Sequence, residues 1–437
     1  MMAGGTWTTQ NKVRPGAYAN VSSNSLNASM SGTRGTVTLP WSSGWGASEV
    51  IEITPTSNIL NLLGYNLCAP EMLTIREALK RASRLLVFRV NGNTGTQAIA
   101  SEGGLSVRAN HRGSRGNDIT VRVIADVDAD GYYNVETLID TTIVDVQRVN
   151  DATALQTNDF ITFNATSLTP IAGLRLDGGT SGGATTADYV RYFRELETHD
   201  FECMALPVED ESIKTLGVAY IHRMRDEEGK KCQLVVAGVK ADHEAVINVR
   251  NGVILEDGIP VAPHQATAWV AGATAGANVN ESNTYAVYEG AEDVTNRLQN
   301  TDVIRALENG EFLFVEHNGR IVVEQDINSL TTFTLERNQA FSKNRVMRVL
   351  DSISNNVRHM FADNFIGRVT NDENGRNVFR SALIEYINSL QILGAVENFE
   401  VDDVQVEAGN DKDSVVAHLN VQPTDAMEKL YMKVEVR

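Results

Sequence analysis

The chain has 437 residues, with 38 Lys and Arg against 56 Asp and Glu, for a formal net charge of −18. A surface of that sign repels nucleic acid, and no run of about 18 apolar residues occurs, so neither a nucleic-acid partner nor membrane insertion by this chain is expected. The composition, 42% hydrophobic and 22% charged, fits a globular protein long enough for more than one domain. The start, MMAGGTWTTQ, lacks a basic residue followed by an apolar stretch and is not read as a signal peptide. Cys68, Cys203 and Cys232 are scattered and predict reduced core residues of a cytoplasmic product.

Residues 1–48 carry Lys12, Arg14 and Arg34 and no carboxylate. Rich in Gly, Ser, Thr and Asn, they read as mostly extended or loop-like, with an apolar knot around Pro15, Tyr18 and Val21. An α/β pattern follows. Pro70 suits the first turn of a helix from about Glu71, and Leu85 to Val90 reads as a strand. From about Thr96 to Gly183 the sequence is strand-like and turn-rich, with Asp130-Gly131 as a hairpin signal. The segment closes on LDGGTSGG, a flexible boundary. Alternation then resumes: a helix over Asp188 to Glu197, a strand over Phe201 to Leu206, a helix over Glu211 to Arg225, a strand over Gln233 to Ala237, and a small-residue helix over His264 to Ala277. Helix and strand in turn predict a parallel sheet. Farther on, Val346, Leu350, Ile353, Val357 and Met360 stand at helical spacing, a second helix covers about Val378 to Leu393, and two alternating strands follow.

The last 41 residues hold ten carboxylates against four Lys and Arg, so the two ends differ in charge sign. The final stretch, LYMKVEVR, alternates strictly: Leu430, Met432, Val434 and Val436 are apolar, and the residues between them are amphipathic or charged. That is the period of a half-buried strand. It joins either its own domain's sheet or a sheet elsewhere. The expected architecture is an α/β core over 23–95 and 184–333, an inserted all-β domain over 96–183 and an α+β C-terminal domain over 334–429. An N-terminal arm over 1–22 and a C-terminal arm strand over 430–437 flank them.

Little catalytic chemistry is visible. Asp126, Asp128, Asp130 and Gly131 have calcium-loop spacing, but Thr137 stands where the bidentate glutamate belongs and the flanks are strands. The plain reading is an acidic hairpin tip, with a weak calcium site as the alternative. LDGGTSGG is not followed by the Lys-Ser/Thr of a phosphate loop. The histidines are dispersed, none pairs with a cysteine at metal spacing, and His222, beside Arg223 and Arg225, reads as a solvated or interface face. No catalytic residue, cofactor or metal is assigned, and no enzyme is expected.

GGTWTTQNKVRPGAYANV near the start resembles the opening of contractile tail sheath proteins of myophages, defective prophages and phage-tail-like bacteriocins. APHQATAWVAGATAGANVNESNTY, NRVMRVLDSI, FIGRVTNDENGRNVF and DAMEKLYMKVEVR are similar to later blocks of the same family, in order. The resemblance covers nearly the whole chain and is weakest in the β insertion. It implies a helical homo-oligomer of hexameric rings around an inner tail tube protein, with baseplate and terminator proteins as further partners. The particle would be a virion or a phage-tail-like body assembled in the bacterial cytoplasm, contracting without ATP to drive the tube through an envelope. It also implies swapped arms, which assigns inter-subunit contacts to Tyr18, Ala19 and Val21 and to Leu430, Met432, Val434 and Val436. Lys343, Arg345 and Arg348 crowd the start of the helix near Ser342, where cations oppose the macrodipole. They are expected to meet acidic groups on the inner tube, or else to form a solvated face. A β-rich receptor- or carbohydrate-binding virion protein is the alternative function, although the insertion has few aromatics, chiefly Tyr132, Tyr133, Phe160 and Phe163.

Overall fold

The computed structural model describes residues 34–436 and the backbone of residues 3–5 and 16–18. Those two short segments pair in parallel, Gly5 opposite Tyr18. Ala19 and Val21, and most of the expected N-terminal arm, lie outside the described residues.

A seven-stranded sheet carries the core. Its strands are β1 (Thr36–Trp41), β2 (Val50–Ile53), β3 (Arg84–Arg89), β4 (Cys203–Ala205), β5 (Gln233–Ala237), β6 (Val246–Val249) and β7 (Glu311–Phe312). They stand in the order β7-β6-β5-β4-β1-β3-β2, and all neighbours are parallel except β2 and β3. Strands in a parallel sheet are covered on both faces and so read as continuous apolar runs. β5, QLVVA, is such a run after its first residue, Gln233, and is buried at every position.

The alternating side chains sort onto two cores. Leu85, Val87 and Val235 face one core together with Trp269, whereas Leu86, Phe88, Leu234 and Val236 face another with Tyr192, Phe193 and Tyr220. The first is covered by α1 (Leu73–Leu79) and by the small-residue helix α4 (Pro263–Gly276); the second by α2 (Thr186–Leu196) and α3 (Glu211–Asp226). Glycine lets α4 lie close: a Cβ at Gly272 would stand 2.5 Å from the Ala78 carbonyl oxygen, and one at Gly276 2.1 Å from that of Arg81. Pro263 opens α4 at its first turn, where its missing N–H costs nothing.

β1 corrects the reading of residues 1–48 as largely loop-like. All six residues, TVTLPW, are buried between β4 and β3. Full burial removes the alternation that marks a strand, and Pro40 argues against a central strand. Here Pro40 sits one residue from the strand end, opposite Phe88.

Between β3 and α2 the chain makes a β-sandwich. One sheet pairs Thr142–Val149, Tyr133–Ile139, Ile119–Ala125 and Ile171–Arg175; the other pairs Ile161–Ala165, Leu105–Arg112, Gly95–Glu102 and Thr180–Ser181. Val107, Ala109, Val121, Val123, Val135 and Ile161 fill its interior. Asp130-Gly131 does turn a hairpin, with Gly131 at φ +79°, a conformation that favours glycine.

After the core come α5 (Asn344–Asn364) and α6 (Glu373–Ile392), which pack through Phe361, Phe365 and Phe379. Strands β8 (Val404–Ala408) and β9 (Val415–Leu419) form an antiparallel hairpin, and Val396–Glu397 pairs with Gln422–Pro423. No helix among the described residues is long and apolar enough to cross a membrane.

Candidate assembly surface

The C-terminal stretch joins none of these sheets. Residues 427–436 belong to no helix or strand. Leu430, Met432, Val434 and Val436 are 84%, 76%, 73% and 95% exposed, and Tyr431 is equally bare. The ion pair recorded within the stretch is local, Lys433 with Glu435. Four exposed apolar side chains at alternate positions, on backbone that pairs with nothing among the described residues, form an open edge that seeks a strand partner. A complementary feature lies in the same domain. β8 and β9 pair only with each other among the described residues, packed on α6. A two-stranded ladder is marginal by itself and gains stability from added strands.

The start of α5 corrects a second expectation. Lys343, Arg345 and Arg348 do not form an exposed basic row. Arg348, 1% exposed, donates to the Thr274 carbonyl at 3.2 Å and to that of Glu281, and its guanidinium stands 3.5 Å from the buried carboxylate of Asp326. Thr274 is in the last turn of α4, where unpaired carbonyls and the negative end of the macrodipole favour a cation. Asp326 also accepts from the Asn283 N–H and the Asn344 amide, each at 2.9 Å. Arg345 donates to the Asn280 carbonyl and to Thr424 Oγ1, both at 2.9 Å.

Lys343 pairs with Glu428. Glu428 further accepts from Gln325 Nε2 at 2.6 Å and from Thr284 Oγ1 at 2.9 Å. Burial pushes its carboxyl up, but these donors, Lys343 foremost, outweigh that and hold it below the usual range. A second buried pair, Arg225 bidentate to Asp351 at 2.7 Å, ties α3 to α5. These acidic partners escaped the sequence reading because they stand far away along the chain, 85 residues for Lys343 and Glu428. No local pattern marks such a pair.

His222 also lies elsewhere than expected. Its ring packs on that of His243 with centroids 4.0 Å apart, and Glu244 stands 3.7 Å from His243. Burial lowers the His243 imidazole to about 4, against a raising contribution from Glu244. The folded state therefore binds the proton more weakly than the unfolded chain, whose histidine titrates near ~6.5. Stability from this group is fully present above that pH and is lost as pH falls from ~6.5 towards about 4. The melting temperature is expected to drop between pH 6.5 and 5, before most carboxylates protonate, and His243→Asn is expected to flatten that slope. An unchanged slope in the variant would remove His243 from the account.

The remaining sequence candidates hold no ligand set. Asp126 is occupied by Arg148 and by the N–H of Asp128 at 2.9 Å. No group of three His, Cys, Asp or Glu among the described residues could hold a metal. The weak calcium alternative at Asp126, Asp128 and Asp130 therefore gains no support from this geometry, and the stretch forms the acidic hairpin tip of the plain reading. Cys203 and Cys232 are buried, and burial pushes the Cys232 thiol up to about 12. Cys68 is exposed rather than a core residue. A groove of about 960 Å³ separates the core from α5 and α6, lined by Glu202, Gln233, Arg358 and Tyr386 among others. It lies at the amino ends of the strands, whereas open α/β sheets bind ligands beyond the carboxyl ends.

A β-sandwich between two parts of an α/β core, then a helical pair followed by a terminal stretch that pairs with no strand among the described residues, is matched by four family models in chain order. They are the tail sheath protein Gp18 domain III N-terminal region over residues 34–90, the phage tail sheath protein beta-sandwich domain over 93–181, the phage tail sheath protein central domain over 182–329 and the phage tail sheath C-terminal domain over 336–437. The chain belongs to the phage tail sheath family. Two Bacillus subtilis proteins, YqbK and the phage-like element PBSX protein XkdK, are 38% and 36% identical to it over the whole of both chains. The crystal structure of a sheath tail protein from Desulfitobacterium hafniense is 41% identical, with a TM-score of 0.83 over 93% of this chain and 97% of that one. The contracted helical sheath of the anti-feeding prophage shares the fold at 12% identity, with a TM-score of 0.59 over 98% of this chain and 99% of that one.

Proposed function

We propose that this sheath subunit polymerises as stacked hexameric rings around an inner tail tube, capped by baseplate and terminator proteins. Contraction of the lattice to a shorter, wider form drives the tube through a bacterial envelope. The observation that carries the reading is the exposed stretch Leu430 to Val436, alternating in sequence between apolar and polar residues and unpaired among the described residues. Paired with β8 or β9 of a neighbour, it gains backbone hydrogen bonds and buries its apolar face, and alternate side chains fix the register. Such a link can persist while subunits rotate, because the paired sheets stay intact and the connecting residues bend. The energy resides in the assembled lattice, so no nucleotide is consumed and the subunit is not an enzyme. The particle forms in the bacterial cytoplasm.

A receptor- or carbohydrate-binding role is less well supported. Of the four aromatics in the sandwich region, Phe160 is buried, Phe163 and Tyr133 pack on the core and Tyr132 is 37% exposed, which leaves no aromatic platform. Negative-stain microscopy and sedimentation of the purified chain test the two readings. Rings or tubes at tens of micromolar are expected; discrete monomers at that concentration would overturn the sheath reading.

A further inference from the structure

Met427 and Leu430 are both almost fully exposed, yet the Glu428 side chain between them is only 11% exposed. Three donors from three parts of the chain converge on its carboxylate: Lys343 at the N-terminal boundary of α5, Gln325 beyond the hairpin Phe314–Val323, and Thr284 in the segment after α4. Thr284 Oγ1 in turn accepts from the Asp326 N–H at 2.9 Å, so the carboxylate is continuous with the buried Arg348–Asp326 pair. Upstream, the last tie to the body is Thr424, held to the Ala395 carbonyl and by Arg345. Among the described residues, nothing beyond Glu428 bonds to another part of the chain.

We propose that Glu428, clasped by Lys343, Gln325 and Thr284, is the positioning residue that roots the C-terminal arm and sets the point from which it reaches a neighbouring subunit. The inference rests on the swapped-arm reading above. With the clasp closed, one residue, Lys429 (429 − 428), separates the anchor from the strand at Leu430; with it open, the free segment starts after Thr424 and has five (429 − 424). Effective concentration falls roughly as the −3/2 power of segment length, so opening the clasp weakens each arm contact by roughly tenfold. A rooted arm also points in one direction before it binds, and that preorganisation is lost when the root is freed. Because the clasp joins the arm to the start of α5, it also gives the arm a stiff connection through which a rotating neighbour acts on the body.

The test compares the full-length chain with Glu428→Ala and with the exchanged pair Lys343→Glu/Glu428→Lys. Three quantities are measured: the critical concentration for polymerisation by sedimentation, the melting temperature of dilute protomer, and amide exchange over residues 425–430. The expected result for Glu428→Ala is a roughly tenfold higher critical concentration, faster exchange over 425–430 and a melting temperature lowered too little to account for that loss, with partial restoration in the exchanged pair. A parent-like critical concentration in Glu428→Ala overturns the proposal. So does an assembly defect that merely tracks a lower melting temperature, since that marks a folding contact and not a root. If the parent chain itself fails to polymerise, the swapped-arm reading falls. The clasp is then judged by amide exchange, and unchanged exchange in Glu428→Ala overturns it.

Discussion

Val434→Asp is expected to abolish polymerisation while leaving a folded protomer. Val434 is 73% exposed in the chain, so its replacement removes no internal packing, and circular dichroism and melting of dilute protein should match the parent. In a paired arm the same position faces the neighbour's core. The substitution forfeits about 1.5–3 kcal/mol of apolar burial. It also places a carboxylate where desolvation costs several kcal/mol more without a partner. Since every ~1.4 kcal/mol is a factor of ten in affinity, each arm contact weakens by roughly three orders of magnitude or more. Avidity multiplies the loss, because every subunit of the proposed polymer depends on the same contact. Glu435→Lys, on the opposite face of the strand, serves as the control and should assemble. Polymers of Val434→Asp at the parent's concentration would sink the swapped-arm reading.

Arg348→Met is expected to act in the opposite sense, on the protomer. It removes the cation from a pair whose members are both essentially buried, and it strips donors from the Thr274 and Glu281 carbonyls. Breaking a buried pair by deleting one partner costs about 3–5 kcal/mol, because the other charge is left uncompensated. The cooperative unit that contains α5 should melt roughly ten degrees lower. Amide exchange should rise along α5 and in the segment around Asp326, and less so in the sandwich. The experiment also decides what the cations at the start of α5 do. If Arg348→Met melts like the parent and fails only in assembly around the proposed inner tube, the guanidinium serves an outside partner, as its position at a helix start suggested.

Much of this molecule is legible along its sequence. Gln233 to Ala237 is a strand because five consecutive residues suit a sheet covered on both faces. Glu211 to Asp226 is a helix because Asp210 caps it, accepting from the N–H groups of Ser212 and Ile213, and because its apolar spacing follows. The hairpin at Asp130-Gly131 is fixed by a glycine in a left-handed conformation. Where local signals conflict with burial, the reading fails. β1 was hidden by Pro40 and by its own complete burial, and only the flanking β4 and β3 make TVTLPW a strand.

The alternation in LYMKVEVR shows by itself that one face seeks an apolar partner, since the period of two is a property of the backbone. That no sheet of the same chain takes the strand up among the described residues was decided by tertiary structure, which completes the domain without it. Likewise the sequence placed Lys343, Arg345 and Arg348 in the first turns of a helix and flagged the electrostatic mismatch with the helix start. Which groups answer those charges depended on the folding of distant segments. The end of α4 brings carbonyls to Arg348, the segment after the hairpin brings Asp326, and the root of the arm brings Glu428 to Lys343. Short-range geometry is set by residue type and spacing, and so it can be read along the chain. Charge partners are set by three-dimensional proximity among residues 22 to 85 positions apart, and for these the packed structure alone makes the assignment.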